Sequence, residues 1–288
     1  MTVLRFLLFL WIICCLPSCD SNKKQANVKA VSDTTKPEDN RFTTVVLTPE
    51  ASLDEPMMFQ VIDDGTVYIV ERKGGLKKFD PKTKTVTLIA TIPVYSDYEQ
   101  GLIGLALDPD FQTNHFVYLQ YSPKNESVFQ LDRYELRDDK LVEGSQRTLL
   151  KFPVDREHTN HTGGGMAWDD DGNLYLTVGN NTGNGLLAQT DERPGFSHLD
   201  DQRGASNTND LRGKILRIHP EPDGTYTIPK GNLFPEGTPK TRPEIYTMGH
   251  RNVWRVSVDS ETGWIFWGEI GPDEDLDSQT GPRGDDEQ

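Results

Sequence analysis

The chain has 288 residues, of which 35% are hydrophobic and 9% aromatic, and its formal net charge is −15. This acidic balance argues against a nucleic-acid or anionic-membrane partner, because clustered Lys and Arg side chains bind both. The 25 glycines and 18 prolines are spread along the chain, as is typical of an all-β protein with many turns.

Residues 1–19 have the pattern of a bacterial export signal rather than of a folded domain. The apolar run Phe6–Leu16 is too short to span a membrane as a mature helix. It ends in Leu-Pro-Ser-Cys19, which is similar to a lipoprotein lipobox. We therefore predict lipidation of Cys19 and a position on the periplasmic or cell-surface side of a bacterial membrane. An ordinary secretory signal is the alternative. Residues 20–40 are polar and lack periodicity, which predicts a flexible tether.

From residue 41 onward, four segments share one pattern: an apolar run, a turn with aspartate, and a second apolar run rich in aromatic residues. This pattern predicts β-hairpins at Met57–Val70, Ile103–Tyr121, Gly164–Val178 and Trp254–Trp267. Two further strand pairs are predicted between them, at Leu76–Ala90 and Phe129–Val142. Two hairpins provide the four strands of a propeller blade. Residues 41–288 are therefore predicted to form an all-β propeller with about four blades.

The last predicted hairpin is followed by an acidic loop, Asp273–Glu287. A loop needs a strand to return to, and four blades do not readily close a ring. We therefore interpret the sequence as part of a longer protein. A complete, unusually small propeller is the alternative.

The third hairpin is preceded by two histidines and three glycines, in the run Glu157-His-Thr-Asn-His161-Thr-Gly-Gly-Gly165. Glycines allow another group to approach the backbone closely, so we expect a flat ligand against this segment. The alternative is a solvated or internally hydrogen-bonded histidine. The acidic turn Asp169–Gly172 could form a calcium loop, but hairpin turns use the same residues.

Six motifs follow one another along the chain, at Gln100–Phe111, His161–Gly164, Gly172–Tyr175, Leu211–Ile218, Gly249–Asn252 and Gly268–Pro272. In residues and order they resemble the soluble quinoprotein glucose/sorbosone dehydrogenases, which use pyrroloquinoline quinone (PQQ) and are six-bladed β-propellers. The resemblance covers residues 42–288. It implies a propeller of which about four blades are present in this chain.

The resemblance also implies roles for individual residues. His161 matches the base that takes the hydroxyl proton of a sugar while a hydride moves to the quinone. Gln100 matches a glutamine that contacts the substrate, although it could simply cap a strand. Arg251 and Asn252 match the pair that holds the cofactor, and a guanidinium suits its carboxylates. Arg251 could instead pair with a carboxylate of the protein.

The carbonyls of Gly271 and Pro272 match backbone ligands of an active-site calcium ion, Ca2+, which takes oxygen ligands. The alternative is that these two residues form only a turn. Lys214 and Arg217 lie on a predicted strand whose alternation favours a solvated face, and we assign them no role.

Two residues depart from the family pattern. Asn180 stands where the family carries an aspartate that supports the catalytic histidine. A neutral amide stabilises an imidazolium less well than a carboxylate does, so a weaker base is expected. Asn160 stands where the members that oxidise glucose carry an aspartate, so glucose is not implied as the substrate.

The resemblance favours an exported dehydrogenase that depends on PQQ and calcium and oxidises a sugar or polyol, with an external electron acceptor such as a cytochrome. A second hypothesis is a non-catalytic propeller module that binds carbohydrate or a partner protein, its base having lost its support at Asn180. A calcium-dependent lactonase is the third alternative. That chemistry needs several acidic side chains around one metal, and we find no separate set of inner-strand acids for it.

Overall fold

A computed structural model describes residues 41–48, 52–156, 160–183 and 191–271. The chain divides between Val45 and Val46, and every element named below belongs to the second unit. The predicted signal and tether, with Cys19, lie outside the described residues, as does Pro272. The helices of the described ranges are too short to cross a membrane. They are α1 (Phe111–Asn114) and α2 (Gln202–Ala205).

Within the described ranges, the strands form four antiparallel sheets that follow one another along the chain. The first sheet has the order β1-β2-β3-β4, with β1 Pro56–Val61, β2 Val67–Glu71, β3 Gly75–Asp80 and β4 Thr85–Thr91. In the second sheet β5, β6, β7 and β8 follow in order and β9 also pairs with β7; the strands are β5 Leu102–Leu107, β6 Phe116–Tyr121, β7 Val128–Arg137, β8 Lys140–Leu141 and β9 Arg147–Pro153.

The third and fourth sheets continue this arrangement. In the third sheet β10, β11, β12 and β13 follow in order and β14 also pairs with β12; the strands are β10 Met166–Trp168, β11 Leu174–Val178, β12 Lys214–Pro220, β13 Tyr226–Thr227 and β14 Ile245–Met248. The fourth sheet pairs β15 (Val253–Val258) with β16 (Ile265–Glu269).

The all-β prediction and the four predicted hairpins are confirmed. The second strands of the hairpins, β2, β6, β11 and β16, belong to four different sheets. The first strands contact one another between sheets, with β5 against both β1 and β10, and β10 against β15. Successive sheets that meet along their first strands are the blades of a β-propeller. The described residues therefore form about four blades, as predicted.

The cores lie between the blades, and the second blade is buried on both faces. In β6, Tyr118 packs toward the third blade, whereas its neighbours Val117 and Leu119 pack toward the first blade. Successive side chains of a strand point to opposite faces, and both faces are covered here. The apolar residues of β5 and β6 are therefore nearly continuous rather than alternating.

The predicted pair Phe129–Val142 is only partly correct. β7 pairs with β8 through Leu136 and Arg137, after a turn whose two residues Asp138 and Asp139 both have positive φ. The longer partner of β7 is β9, whose register runs from Val128 to Arg133 on β7. The tight turn between β7 and β8 makes β8 easy to recognise in the sequence. However, β8 has only two residues, and the blade is completed by the longer strand β9.

The solvated face expected for Lys214 and Arg217 is wrong, because both side chains are buried. Lys214 Nζ donates to the carbonyls of Gly204 (2.7 Å), Ala205 (2.9 Å) and Arg212 (2.7 Å). Arg217 Nε donates to Asn232 Oδ1 at 2.8 Å. The loop after β11 covers Lys214, and the loop after β13 covers Arg217 on the opposite face of the strand. Strand alternation alone does not reveal either loop.

Candidate active site

The predicted site residues occupy equivalent positions in three successive blades. Gln100 precedes β5, His161 precedes β10, and Arg251 with Asn252 precedes β15. The first strands of neighbouring blades run side by side, so their starting ends meet at one end of the propeller. The hydrogen bonds below connect these segments into one buried polar cluster.

His161 lies at the centre of this cluster. Its side chain is buried, and its backbone has a positive φ of 58°. Nδ1 lies 2.8 Å from Asn180 Oδ1 and 3.0 Å from Thr182 Oγ1. Within the described ranges, both hydrogen-bond contacts of the ring are made through Nδ1. If Nδ1 carries the proton, Nε2 is left as the basic nitrogen.

Asn180 and Thr182 connect His161 to a carboxylate that the sequence analysis missed. Asn180 Nδ2 donates to Asp201 Oδ1 at 2.8 Å, and the Thr182 hydroxyl also contacts this oxygen. Asp201 Oδ1 lies 3.9 Å from His161 Nδ1. Asp201 precedes α2 in an irregular segment between β11 and β12, where no motif or periodicity indicates it.

Arg251 lies on the other side of Asp201. Its Nε donates to Asp201 Oδ2 at 3.0 Å, and its Nη1 donates to the carbonyl of Ile270 at 3.2 Å. Its backbone N–H donates to Glu269 Oε1. Pairing with a carboxylate of the protein, the alternative raised for Arg251, therefore occurs. Nη2 has no hydrogen bond to the described part of the chain and remains for a ligand.

Glu99 is a second carboxylate that sequence reasoning missed. It accepts from the Thr162 backbone N–H at 3.1 Å and from Asn252 Nδ2 at 3.2 Å. Asn252 Oδ1 accepts in turn from the Gly163 N–H at 3.1 Å. The Asn252 amide thus joins the segments before three first strands, with one N–H hydrogen left for a ligand. The one sequence signal that could have indicated Glu99 is its position next to the predicted site residue Gln100.

Gln100 is fully buried, and its Nε2 donates to the carbonyl of Asp155 at 3.3 Å. Its Oε1 is buried without a hydrogen-bond partner among the residues that the structure describes. A buried acceptor without a donor is costly, and a hydroxyl or N–H of a ligand would relieve that cost. Gln100 does not act merely as a strand cap, since its side chain binds the segment that follows β9.

Burial and the charges around His161 determine its protonation. Burial lowers the pKa of His161 below its ordinary value of 6.5, and the charge of Arg251 lowers it further. The carboxylates of Asp201 and Glu99 act in the opposite direction. Burial acts to raise the pKa of Asp201, but Arg251 and the Thr182 hydrogen bond outweigh it, so that pKa lies below its ordinary value. His161 is therefore neutral at pH 7, and Asp201 is ionised.

The three glycines after His161 do not form the open ligand surface expected from the sequence. All three are buried. A Cβ at Gly163 would lie 2.7 Å from the carbonyl oxygen of Thr177, and one at Gly165 would lie 3.0 Å from Arg255 Cα. The glycines allow this segment to pack against neighbouring strands. The close approach predicted for them is made by the protein's own backbone.

Gly271 lies beside the cluster, because the preceding Ile270 donates its N–H to the Asn252 carbonyl at 3.2 Å and accepts from Arg251. Its predicted partner Pro272 lies outside the described residues. Asp169 accepts from the N–H groups of Asp171 and Asn173, as a hairpin turn does. In the described ranges no three His, Cys, Asp or Glu residues are grouped to hold a metal ion.

Two surface clefts lie away from this cluster. One, of about 540 Å³, is lined by β15 and β16, and another, of about 480 Å³, is lined by β1 and neighbouring apolar residues. Neither is lined by a residue of the His161 cluster. Both are apolar openings at the faces of the first and fourth blades, without the convergent polar groups of a reaction site.

Comparison with known proteins agrees with this architecture. The family model described as glucose / sorbosone dehydrogenase matches residues 53–278. The PQQ-bound form of aldose sugar dehydrogenase from Streptomyces coelicolor is 26% identical, with a TM-score of 0.60 over 77% of this chain and 58% of that chain. This structural likeness confirms the β-propeller prediction.

Two curated relatives have names that refer to different functions, an oxidation and a binding interaction. Quinoprotein glucose dehydrogenase B of Acinetobacter calcoaceticus is 25% identical over 244 residues, which are 78% of this chain and 48% of the relative. Hedgehog-interacting protein of Mus musculus is 23% identical over 230 residues, or 73% of this chain and 31% of the relative. The chain spans about half the length of the first curated relatives it matches.

Proposed function

Because the chain belongs to the glucose/sorbosone dehydrogenase family, we propose that the intact protein oxidises a hydroxyl group of a sugar or polyol, with PQQ as cofactor. The observation that carries this proposal is His161, buried among polar groups and hydrogen-bonded through Nδ1, with Nε2 left as the base. A lowered pKa keeps this base neutral at physiological pH. A neutral imidazole is the form that can take a proton from a hydroxyl.

The donor set at the cluster fits PQQ, a planar quinone with carboxylates. Arg251 Nη2 is available to a carboxylate, and the other guanidinium nitrogens are held by Asp201 and Ile270. A guanidinium held in this way presents a fixed donor at little cost in side-chain entropy. The remaining N–H of Asn252 would act beside it. PQQ, when bound, supplies the acceptor for the hydride that leaves the substrate carbon.

The protein's own residues perform the proton transfer. The hydroxyl proton of the substrate passes to His161 Nε2, and the ring becomes an imidazolium whose Nδ1–H donates to Asn180 Oδ1. Gln100 Oε1, buried without a donor, would accept from a second hydroxyl and orient the sugar. Because sugars and polyols carry neighbouring hydroxyls, these two groups favour that substrate class over a simple alcohol.

Calcium, export and the electron acceptor complete the proposal. The Gly271 carbonyl would bind the calcium ion together with Pro272, since Ca2+ takes oxygen ligands and accepts backbone carbonyls. Removal of calcium with a chelator should abolish turnover, and calcium should restore it better than the smaller magnesium ion. The protein would be exported and anchored through Cys19, and would pass electrons to an external acceptor such as a cytochrome.

The experiment is an assay of the intact protein, loaded with PQQ and calcium, on a panel of aldoses and polyols with a dye as electron acceptor. His161→Gln should lower the rate by about 100-fold or more, the usual scale of a general base. His219→Gln is the matched control, because His219 lies on β12 and contacts Asn173. Equal rates in the two variants, or no oxidation of any sugar by the parent, would contradict the proposal.

A binding module is the second candidate function. It is favoured by the match to Hedgehog-interacting protein, whose name refers to binding rather than to an oxidation, and by Asn180 in place of the expected aspartate. In this case the propeller would bind a carbohydrate or a partner protein without catalysis. Absence of PQQ binding by the intact protein would favour this candidate over the dehydrogenase.

A further inference from the structure

The carboxylate of Asp201 binds the Asn180 amide and lies 3.9 Å from His161 Nδ1, in a chain whose residue 180 lacks a negative charge. We propose that Asp201 is the positioning residue that replaces this charge, acting on His161 through Asn180 and Thr182. The inference rests on the proposed role of His161 as the base. It explains how a site with a neutral amide beside its base can still stabilise an imidazolium.

The orientation of the Asn180 amide is fixed from both sides. Its Oδ1 accepts from the backbone N–H of Thr182 at 3.1 Å, and that group can only donate. Its Nδ2 donates to Asp201 through both Oδ1, at 2.8 Å, and the backbone carbonyl, at 3.1 Å. Oδ1 therefore faces His161 and accepts from Nδ1–H. Asp201 thus fixes the tautomer that leaves Nε2 free of its proton.

The charges around His161 give Asp201 a second effect. Asp201 Oδ1 lies 3.9 Å from His161 Nδ1, and Arg251 Nε binds the other carboxylate oxygen at 3.0 Å. Arg251 opposes protonation of the imidazole, and Asp201 and Glu99 favour it. Without Asp201, the guanidinium would stand beside His161 with its main counter-charge removed. Proton transfer to Nε2 would become less favourable.

Glu99 cannot take this role, although it is also a nearby carboxylate. Its oxygen accepts from the Thr162 N–H and from Asn252 Nδ2. None of its hydrogen bonds within the described residues reaches His161 or Asn180. Asp201 contacts both Asn180 and Thr182, the two residues that accept from the ring. The connected path from a carboxylate to the imidazole therefore begins at Asp201.

The segment that carries Asp201 is held firmly against the sheet. Gly204 and Ala205, just after Asp201, offer their carbonyls to Nζ of the buried Lys214. The Asn180 side chain binds the Asp201 backbone carbonyl as well. Because the backbone that carries Asp201 is held in place, its carboxylate can act as a stationary charge. It does not need to reorganise when the imidazole becomes charged.

The test measures the pKa of the His161 imidazole by NMR in the intact protein without PQQ, with the signal assigned by His161→Gln. Asp201→Asn should lower this pKa by about one unit or more, because it removes a charge within 4–6 Å. Asp200→Asn is the matched control, one residue away, and should leave it unchanged. The double variant Asn180→Asp/Asp201→Asn returns a carboxylate to the ring and should restore the pKa to the parent value or above it.

The same variants give a second measurement, the pH profile of PQQ-dependent turnover. Its acid limb should move to lower pH in Asp201→Asn and return in the double variant. If Asp201→Asn loses thermal stability but leaves the His161 pKa unchanged, the proposal is overturned. That combination is expected of a residue whose role is purely structural. If Asp201→Asn does not fold, the His161 pKa is measured in Asn180→Asp/Asp201→Asn instead. A His161 pKa in that double variant below the value in the parent overturns the proposal. A parent protein without PQQ activity refutes the proposed function, but the NMR result still decides the role of Asp201.

Discussion

Replacing Asn180 by aspartate alone should destabilise the protein, although it recreates the residue found in the family at this position. Asn180 Nδ2 lies 2.8 Å from Asp201 Oδ1 and donates to it. In Asn180→Asp that donor becomes a carboxylate oxygen, and two ionised carboxylates face each other in a buried site. The sequence alone suggests that this substitution raises activity, but the position of Asp201 changes that expectation.

The magnitude follows from two limits. Two like charges about 4 Å apart repel by about 4 kcal/mol at an effective dielectric constant of about 20. The pair can escape this repulsion by binding one proton, which costs about 1.4 kcal/mol for each unit between an aspartate pKa of about 3.9 and pH 7, or about 4 kcal/mol. Arg251, which binds the other oxygen of Asp201, offsets part of either cost. We therefore expect a loss of about 2–3 kcal/mol in the free energy of unfolding at pH 7.

The assay is urea unfolding, followed by tryptophan fluorescence at pH 7 and at pH 5. The shared proton raises the pKa of one carboxyl in the folded variant above its value in the unfolded chain. Stability relative to the parent is therefore retained near pH 4 and is lost as the pH rises through the raised pKa. The deficit should be smaller at pH 5 than at pH 7, and Asn180→Asp/Asp201→Asn should remove most of it. If Asn180→Asp alone is as stable as the parent at pH 7, the arrangement described for the Asn180 and Asp201 side chains is refuted.

Three further predictions concern other parts of the chain. Lys214→Met should lower the free energy of unfolding, measured by urea denaturation, by about 2–3 kcal/mol, because three buried carbonyls lose their ammonium donor. The control Lys151→Met, at an exposed strand position, should change this free energy by less than about 0.5 kcal/mol. Because burial and Arg251 lower the pKa of His161, the parent should lose stability as the pH falls below 6.5, by up to about 1.4 kcal/mol per pH unit, and the difference from His161→Gln in urea titrations should show this slope. Cys19→Ala should release the protein from the membrane fraction, as measured by immunoblot of separated fractions, and full retention would contradict lipid anchoring.

The fold could be predicted largely because each hairpin carries its own local signal. Asp-Gly or Asp-rich turns separate apolar runs, as in the turn at Asp169–Gly172 between β10 and β11. Short edge strands were missed or misjudged, since β8 has two residues and β9 follows it without a strong turn signal. Their pairing depends on the fit of the whole blade rather than on local sequence.

The site could be predicted only where a residue lies next to a first strand. His161, Gln100, Arg251 and Asn252 share that position. Hydrogen bonds through Asn180 and Asp201 connect His161 to Arg251, whereas Gln100 is buried next to Glu99 in the chain. Asp201 comes from an irregular segment, and its place beside Asn180 depends on how that segment folds back over the sheet. Lys214 was misjudged for the same reason, because the covering loop is not visible in strand alternation. The role of the three glycines was also misjudged, since a close backbone approach can be made by the protein as well as by a ligand.

The central claim is that the His161 cluster oxidises a sugar hydroxyl with PQQ as the hydride acceptor. The most direct measurement is a single-turnover experiment on the intact protein loaded with PQQ and calcium, in which added sugar reduces the cofactor and its absorbance is followed. The account predicts rapid reduction in the parent and in His219→Gln. In His161→Gln it predicts equal PQQ binding with reduction slower by about 100-fold or more. Reduction of bound PQQ at the parent rate in His161→Gln would contradict the claim.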